Sequence, residues 1–423
     1  MAKTTDAARA KASRAAEELA RNAVDSLPAG ELAEKLALAA DEGRPLRVKL
    51  GIDPTAPDIH LGHAVVLRKL REFQDAGHRV VLIIGDYTAR IGDPSGRSAE
   101  RPVLEPEQIE ENAATFHEQA TKILAKDPQS LEIRRNSEWL DMPLADMLAL
   151  LRTTTAAQML ERDDFAKRWS AKEPISLLEL LYPLLQAYDS VAVRADVELG
   201  GTDQKFNLLL GRDIQRIYGQ PSQAILTMPL LVGIDGGRKM SKSLGNHIGI
   251  TDVAAEMYGR TMRIPDEAIA EYARLLLPAQ PANAAPDAGG GARGNGAGAE
   301  VPAGVSARDA KRALARGVVS WLHSPEDAQA AERQFDRVHK EHEAPEEVPD
   351  AAIEADNGVV HLPAVIASEF GVSRSNARSL IDEGGVSLNE STVGRGDYDV
   401  PLERADGALL RVGKRRFRRL RAG

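Results

Sequence analysis

Residues 45–86 read PLRVKLGIDPTAPDIHLGHAVVLRKLREFQDAGHRVVLIIGD. The first eight, 45–52, are rich in Val, Leu and Ile and read as a buried strand. In residues 63–77, Val66, Leu70 and Phe73 recur at helical spacing, and residues 78–86 are a second apolar strand. Strand, helix and strand in that order predict a parallel pair joined by a right-handed crossover. Sheets of this kind bind ligands outside the carboxyl ends of their strands. The connection at 51–63, GIDPTAPDIHLGH, is therefore the first place to look for chemistry.

Pro54 and Pro57 stop the strand, and His60 and His63 fall three apart at the start of the helix, which puts both imidazoles on one face. Free amide donors and the positive dipole end make such a terminus suited to phosphate. Gly62 carries no side chain to block a flat ligand such as adenine. Taken alone, the motif reads as easily as a His pair that caps a helix, and i,i+3 histidines without a third ligand argue against a metal. A second segment, GGRKMSKSLGN at 236–246, is glycine-flanked and doubly basic. Lys239 and Lys242, with Ser241 and Ser243, make a mobile cationic patch able to close on a triphosphate and stabilise charge as pyrophosphate leaves. In isolation it reads as a solvated loop. Both motifs, however, follow strands of what reads as one parallel sheet.

Working outward, residues 105–188 are dominated by helical patterns, and strand candidates lie within 191–204 and 221–237. On the helix around LLYPLLQAYDS, Tyr182, Gln186 and Asp189 recur at i, i+4 and i+7 and present a phenol, an amide and a carboxylate on one face. GGTDQ at 200–204 is, by itself, a helix-capping turn. Residues 278–306 contain almost nothing large enough to bury and read as a flexible linker. Helical patterning resumes at 307–343, and a Pro- and acid-rich connection at 344–358 precedes a compact, arginine-rich unit.

The chain has 423 residues, a net charge of −9, 43% hydrophobic and 28% charged residues, and no cysteine. Length argues for two or three domains, and composition for a folded globular protein. Without cysteine, disulfides, thiolate zinc sites and thiol nucleophiles are excluded. No apolar run approaches the roughly 18 residues a membrane span needs, and the first twenty residues read as an amphipathic helix rather than a signal, so a cytoplasmic location is expected. The acidic total conceals a basic end, where Arg411, Lys414, Arg415, Arg416, Arg418, Arg419 and Arg421 cluster with Arg374 and Arg378.

HLGH and KMSKS resemble the two signature motifs of class I aminoacyl-tRNA synthetases. With GIDPTAPDIHLGH, GDPSGR, LLQAYDS and GGTDQ, the chain resembles the bacterial tyrosyl-tRNA synthetases from about Leu46 to its end. The resemblance implies ATP-dependent activation of L-tyrosine to tyrosyl-adenylate, then transfer to tRNA(Tyr), with Mg2+ accompanying the nucleotide and no permanently bound cofactor. It implies an α/β chain: a Rossmann-like parallel-sheet catalytic domain at 1–245, an α-helical tRNA-side domain at 246–350 containing the linker, and a small α+β S-four-like RNA-binding domain at 359–423. His60, His63, Lys239, Lys242 and Ser243 would be catalytic, with Arg97 and Arg101 contacting the leaving pyrophosphate. Asp53, Gly62, Gly201, Asp203 and Lys242 would hold ATP, Asp203 through ribose hydroxyls. Tyr182, Gln186 and Asp93 would surround the substrate ammonium, Gln204 its carboxyl, and Asp189 its phenol. Arg374, Arg378, Lys414, Arg415, Arg416, Arg418 and Arg419 would bind RNA, in a homodimer.

Two departures stand out. Many members carry tyrosine where this chain has Lys49, which leaves the second phenol partner open, and the Ala/Gly linker replaces helical sequence. A tryptophanyl-tRNA synthetase and an inactive synthetase-like RNA-binding protein are the rival readings. The Tyr182, Gln186 and Asp189 stripe favours tyrosine, and the intact motifs favour an enzyme.

Overall fold

The computed structural model describes residues 6–55, 58–95, 104–277, 305–338, 348–389, 391–413 and 416–422. Arg97, Arg101, Lys414, Arg415 and nearly all of the 278–306 segment lie outside the described residues. The chain divides into two compact units. One comprises the chain to Val253 together with Arg260–Leu322, and the other Ala254–Gly259 with the chain from His323. Residues 260–322 thus cluster with the sheet-bearing unit.

The first unit is built on six strands: β1 (Asp25–Leu27), β2 (Arg47–Ile52), β3 (Arg79–Ile84), β4 (Leu131–Arg135), β5 (Val197–Gly201) and β6 (Ala224–Met228). Their order is β1-β6-β5-β2-β3-β4. All neighbours are parallel except β1, which runs antiparallel to β6. As the 45–86 pattern predicts, one helix carries the chain from β2 to β3. Among the helices of this unit are α1 (Asp6–Leu19), α2 (Glu31–Asp41), α3 (Leu61–Asp75), α4 (Pro106–Ala120), α5 (Leu177–Ala192) and α6 (Lys205–Ile217).

α3 turns Leu61, Ala64, Val65, Leu67, Leu70 and Phe73 into the core. Each of the Leu, Val and Phe side chains, fully buried, contributes roughly 1.5–3 kcal/mol, so this one face anchors the crossover. Val66, counted with the apolar stripe from its spacing, instead helps line a cleft. α5 starts at Ser176, whose hydroxyl accepts from Leu178 N (3.2 Å) while Glu179 reaches back to Ser176 N (3.0 Å). It packs Leu184, Leu185, Ala187 and Val191 against Leu210 and Ile214 of α6.

Two strands escape the sequence reading. β4 interrupts the stretch read as helical because LEIRR is an edge strand with every residue partly exposed, so it lacks an apolar run. β1 is only three residues long. From β2 the chain proceeds to β3 and β4 on one side, then returns to lay β5 on β2's other side. The order therefore reverses between β2 and β5, and a ligand cleft is expected at their carboxyl ends.

The second unit contains a five-stranded sheet of order β10-β9-β12-β13-β7. Its strands are β7 (Asp350–Ile353), β9 (Val386–Leu388), β10 (Ser391–Thr392), β12 (Leu409–Val412) and β13 (Arg416–Ala422). β8 (Val359–His361) pairs with β11 (Asp399–Pro401). Helices Leu362–Phe370 and Arg374–Asp382 are separated by Gly371 at φ 62°, and Ser373 Oγ caps the second by accepting from Asn376 N (3.2 Å). Ile366, Ala377, Ile381, Leu388, Leu410 and Leu420 lie in its core. β7 joins this sheet beside β13, ahead of the 359 boundary read from composition, because the Pro- and acid-rich connection concealed a strand.

Candidate active site

The switch-point cleft has a volume of about 430 Å³, and Asp53, Gly200 and Gly201 from the ends of β2 and β5 line it. That size lies within the roughly 300–1,000 Å³ typical of small-molecule pockets. At the start of α3, Gly62 N donates to His60 Nδ1 (3.2 Å) and His60 N to His63 Nδ1 (3.3 Å). With each Nδ1 accepting, the proton of either ring resides on Nε2. The two rings stack at 4.0 Å. Burial pushes His60 down to about 2, helped by His63, His247 and Lys239. Burial likewise lowers His63 to about 4, with Lys239 contributing. Both imidazoles are therefore neutral hydrogen-bond donors at neutral pH rather than cations. A Cβ on Gly62 would come within 2.9 Å of His60 Cε1, so glycine is needed for the ring to fold back over the helix start.

The lysine-bearing turn is brought to the same cleft by backbone pairing. Leu61 N donates to Ile248 O (2.9 Å) and Ile250 N to Ile59 O (3.0 Å), so the segment leaving the turn is hydrogen-bonded to the residues that open α3. Buried Asn246 ties the turn itself. Its Oδ1 accepts from Ser241 N (2.8 Å), and its Nδ2 donates to Asp235 Oδ2 (3.0 Å) and Lys239 O (3.2 Å). A Cβ on Gly233 would stand 2.2 Å from Asn246 Nδ2, which explains glycine there. The sequence suggests a mobile patch, whereas this turn is held from inside. Lys239 Nζ contacts Asp203 Oδ2 (2.9 Å), Lys242 Nζ pairs with Asp58, and Ser241 Oγ lies 3.0 Å from Ser243 Oγ.

Along α5, Tyr182 and Asp189 are buried and Gln186 is partly so, and all three line the cleft. Tyr182 OH donates to Asp53 Oδ2 (2.9 Å), and Thr88 Oγ1 donates to Asp53 Oδ1 (2.7 Å). Gln204 Nε2 donates to Asp93 Oδ2 (2.7 Å), and Asn207 Nδ2 to Gln186 Oε1 (2.8 Å) and Gln204 Oε1 (3.2 Å). Buried Arg162 supports this group through Asn207 Oδ1 (3.2 Å) and Ser95 Oγ (3.0 Å). Asp189 accepts from Trp139 Nε1 (2.8 Å) and, at 3.5 Å, from Asn136 Nδ2. Burial raises Asp189 to about 6, opposed by Lys49 and by the Trp139 hydrogen bond. Lys49 points inward, to Glu198, and so takes no place at the cleft wall.

The structure thus gathers His60, Gly62, His63, Asp53, Asp93, Tyr182, Gln186, Asp189, Gly201, Asp203, Gln204, Lys239, Lys242 and Ser243 around one cleft. Sequence reasoning missed Asp58, Thr88, Asn136 and Trp139. The signal for the last two was β4, whose carboxyl end delivers the N-S-E-W segment to the cleft edge. In the second unit, Arg374 and Arg378 are exposed. The Arg416 and Arg418 guanidiniums lie 5.4 Å and 5.0 Å from the Phe370 ring centre, and Arg378 lies 5.5 Å from that of Tyr398. Arg418 Nε also donates to Glu369 Oε2 (2.9 Å), and Arg419 Nη1 to Gly407 O (3.3 Å). Part of the basic cluster is therefore engaged within its own unit.

Comparison with known proteins places this geometry. The family described as tRNA synthetases class I (W and Y) matches residues 41–340. The tyrosine-tRNA ligase of Moorella thermoacetica is 47% identical over 404 residues, 95% of this chain and 94% of its own length. That of Thermotoga maritima is 48% identical over 419 residues, 96% of each. Among solved structures, the fold is similar to a C-terminally truncated mitochondrial tyrosyl-tRNA synthetase of Aspergillus nidulans (TM-score 0.59, 21% identity, 79% of this chain and 100% of that one). It is also similar to the Archaeoglobus fulgidus tyrosyl-tRNA synthetase complexed with L-tyrosine (TM-score 0.56, 24% identity, 76% and 99%).

Proposed function

The chain belongs to the class I tRNA synthetases, in the family of the tyrosine-tRNA ligases it matches along nearly its whole length, and from that premise we propose how its residues divide the work of joining tyrosine to tRNA(Tyr). One observation carries the reading. The His60–His63 pair and the Lys239–Lys242 turn, far apart in sequence, share a single cleft with a pocket containing Asp189.

In the first step a tyrosine carboxylate oxygen attacks the α-phosphorus of ATP, and the bond to the bridging oxygen of pyrophosphate breaks. The nucleophile is already an anion, so no side chain need remove a proton. Catalysis is then a matter of position and charge stabilisation. Neutral His60 and His63 donate from Nε2 to phosphate oxygens, while Lys239 and Lys242 leave their carboxylate partners and meet the charge that develops on pyrophosphate. Asp53, Gly62, Gly201 and Asp203 hold the nucleoside, Asp203 at the ribose. Arg97 and Arg101 contribute to the pyrophosphate side. Mg2+ enters with ATP as part of the substrate.

Tyr182, Gln186 and Asp93 receive the substrate ammonium, Gln204 its carboxyl, and Asp189 the phenolic proton. A buried carboxylate left unpaired by phenylalanine is a strong source of rejection, and the handling of tyrosine against phenylalanine by a tyrosyl-tRNA synthetase is the standard illustration. In the second step a hydroxyl at the 3′ end of tRNA(Tyr) attacks the tyrosyl carbonyl and AMP leaves. Residues 359–423 supply RNA phosphate contacts through Arg374, Arg378, Lys414, Arg415, Arg416, Arg418 and Arg419. A homodimer is supported by Leu144, Leu148, Trp169, Leu177 and Leu178, large apolar side chains exposed on the first unit. The cytoplasm, where charged tRNA is used, is the compartment we assign. Amino-acid-dependent exchange of pyrophosphate into ATP tests the assignment: tyrosine supports it and tryptophan does not. Exchange with tryptophan, or with neither, overturns it.

A further inference from the structure

β2 carries a cation into the interior. Lys49 has no exposed surface. Its Nζ donates to Gln186 O (3.0 Å), Ser190 Oγ (2.9 Å) and Glu198 Oε1 (2.8 Å), which uses all three ammonium protons. Glu198, on β5, is equally buried. It accepts from Ser190 Oγ (3.0 Å) and from Gln223 Nε2. α6 closes over the group, since a Cβ on Gly211 would stand 2.7 Å from Gln223 Nε2 and 3.3 Å from Glu198 Oε2.

Stability is a poor explanation for this arrangement. Taking two charges out of water is costly, and apolar replacements of equal volume are commonly as stable. What the pair touches is more informative. It joins β2 and β5, the strands on either side of the switch point, to the 186–190 turn of α5. That turn carries Gln186 and Asp189 to the cleft, and both α5 atoms bound by Lys49 belong to it. The charged groups that face Asp189 are Lys49 from β2 and Glu198 from β5, and Trp139 and Asn136 face it as neutral donors.

We propose that the Lys49–Glu198 pair is a positioning and charge-setting device for the aromatic end of the substrate, fixing the 186–190 turn and holding Asp189 as the ionised acceptor that separates tyrosine from phenylalanine. The proposal rests on the tyrosine reading above. Lys49 favours the Asp189 anion and Glu198 opposes it, with Lys49 the stronger influence. Neither residue reaches the substrate, so both are positioning residues.

The test is the pH dependence of kcat/KM for tyrosine in pyrophosphate exchange, with the tyrosine-to-phenylalanine ratio and KM for ATP measured alongside. Glu198→Gln leaves Lys49 uncompensated beside Asp189, so the acid limb moves to lower pH by about half to one unit. The double variant Lys49→Met with Glu198→Gln removes both charges without stranding either, so the limb moves above its wild-type position. In the double variant the tyrosine-to-phenylalanine ratio falls about tenfold through KM for tyrosine, while KM for ATP is unchanged. Folded variants whose limb and ratio match the wild type overturn the proposal. Loss of the fold in both also overturns it, by making the pair a requirement of folding. Absence of tyrosine-dependent exchange in the wild type would instead defeat the tyrosine reading itself.

Discussion

Asp58 is the carboxylate that Lys242 meets across the cleft, and releasing it should tighten ATP binding. The side chains of Lys242 and Asp58 are 37% and 40% exposed. At that exposure solvent screens the pair, and its strength falls to roughly 0.5–1 kcal/mol rather than that of a buried bridge. Asp58→Asn is thus expected to lower KM for ATP by about two- to fivefold, at 1.4 kcal/mol per factor of ten, with KM for tyrosine unchanged. Lys242→Ala removes a charge that the leaving pyrophosphate needs, and should cost about 10²–10³ in the rate of adenylate formation. Combining the two in a double-mutant cycle decides whether the aspartate acts through the lysine. Pyrophosphate exchange at varied ATP supplies all four corners. If the gain from Asp58→Asn is equally large in the Lys242→Ala background, the aspartate acts by general repulsion of the triphosphate, and the reasoning from the pair is refuted.

For the wild type, Asp189 at about 6 takes its proton long before the imidazoles at about 2 and 4 do. As pH falls below about 6, kcat/KM for tyrosine should drop about tenfold per unit, and the same limb should be missing with phenylalanine, which has no phenol to pair. Asn246→Ala leaves the turn's partners unsatisfied at about 1–3 kcal/mol, so adenylate formation should slow 10- to 100-fold while tyrosine affinity holds, and limited trypsin cleavage at Arg238, Lys239 and Lys242 should accelerate. Deleting residues 348–423 should spare pyrophosphate exchange and abolish tRNA charging at physiological salt; undiminished charging would contradict the assigned RNA role.

Much of the scaffold was legible because it obeys simple periods. The crossover through α3 follows from its 3.6-residue stripe, and the cleft-facing side of α5 follows from positions 182, 186 and 189. What escaped did so for identifiable physical reasons. β4 is an edge strand of five residues whose alternation breaks at Arg134–Arg135, too short to stand out among the helical patterns around it, which hid Asn136 and Trp139 as well. Lysine in a strand ordinarily signals a wet face, so nothing local showed that Lys49 would turn inward to a glutamate supplied by β5. Asp58 and Lys242 are separated by 184 positions, and only the pairing of residues 248–250 with 59–61 brings them together. The neutrality of His60 and His63 is likewise a property of burial rather than of spacing.

The three-residue strand at the amino-terminal edge of the six-stranded sheet has a practical bearing. β1 covers the open side of β6, which is buried along its whole length. It is fastened there by Asp25, which pairs with Lys205 (2.7 Å) and accepts from Thr227 Oγ1 (2.6 Å). A version of the protein trimmed past Leu27 would lay bare an apolar ribbon of unpaired amides and carbonyls, a template on which further chains can stack. Anyone shortening the amino terminus for crystallisation should stop before Asp25, or expect precipitate instead of enzyme.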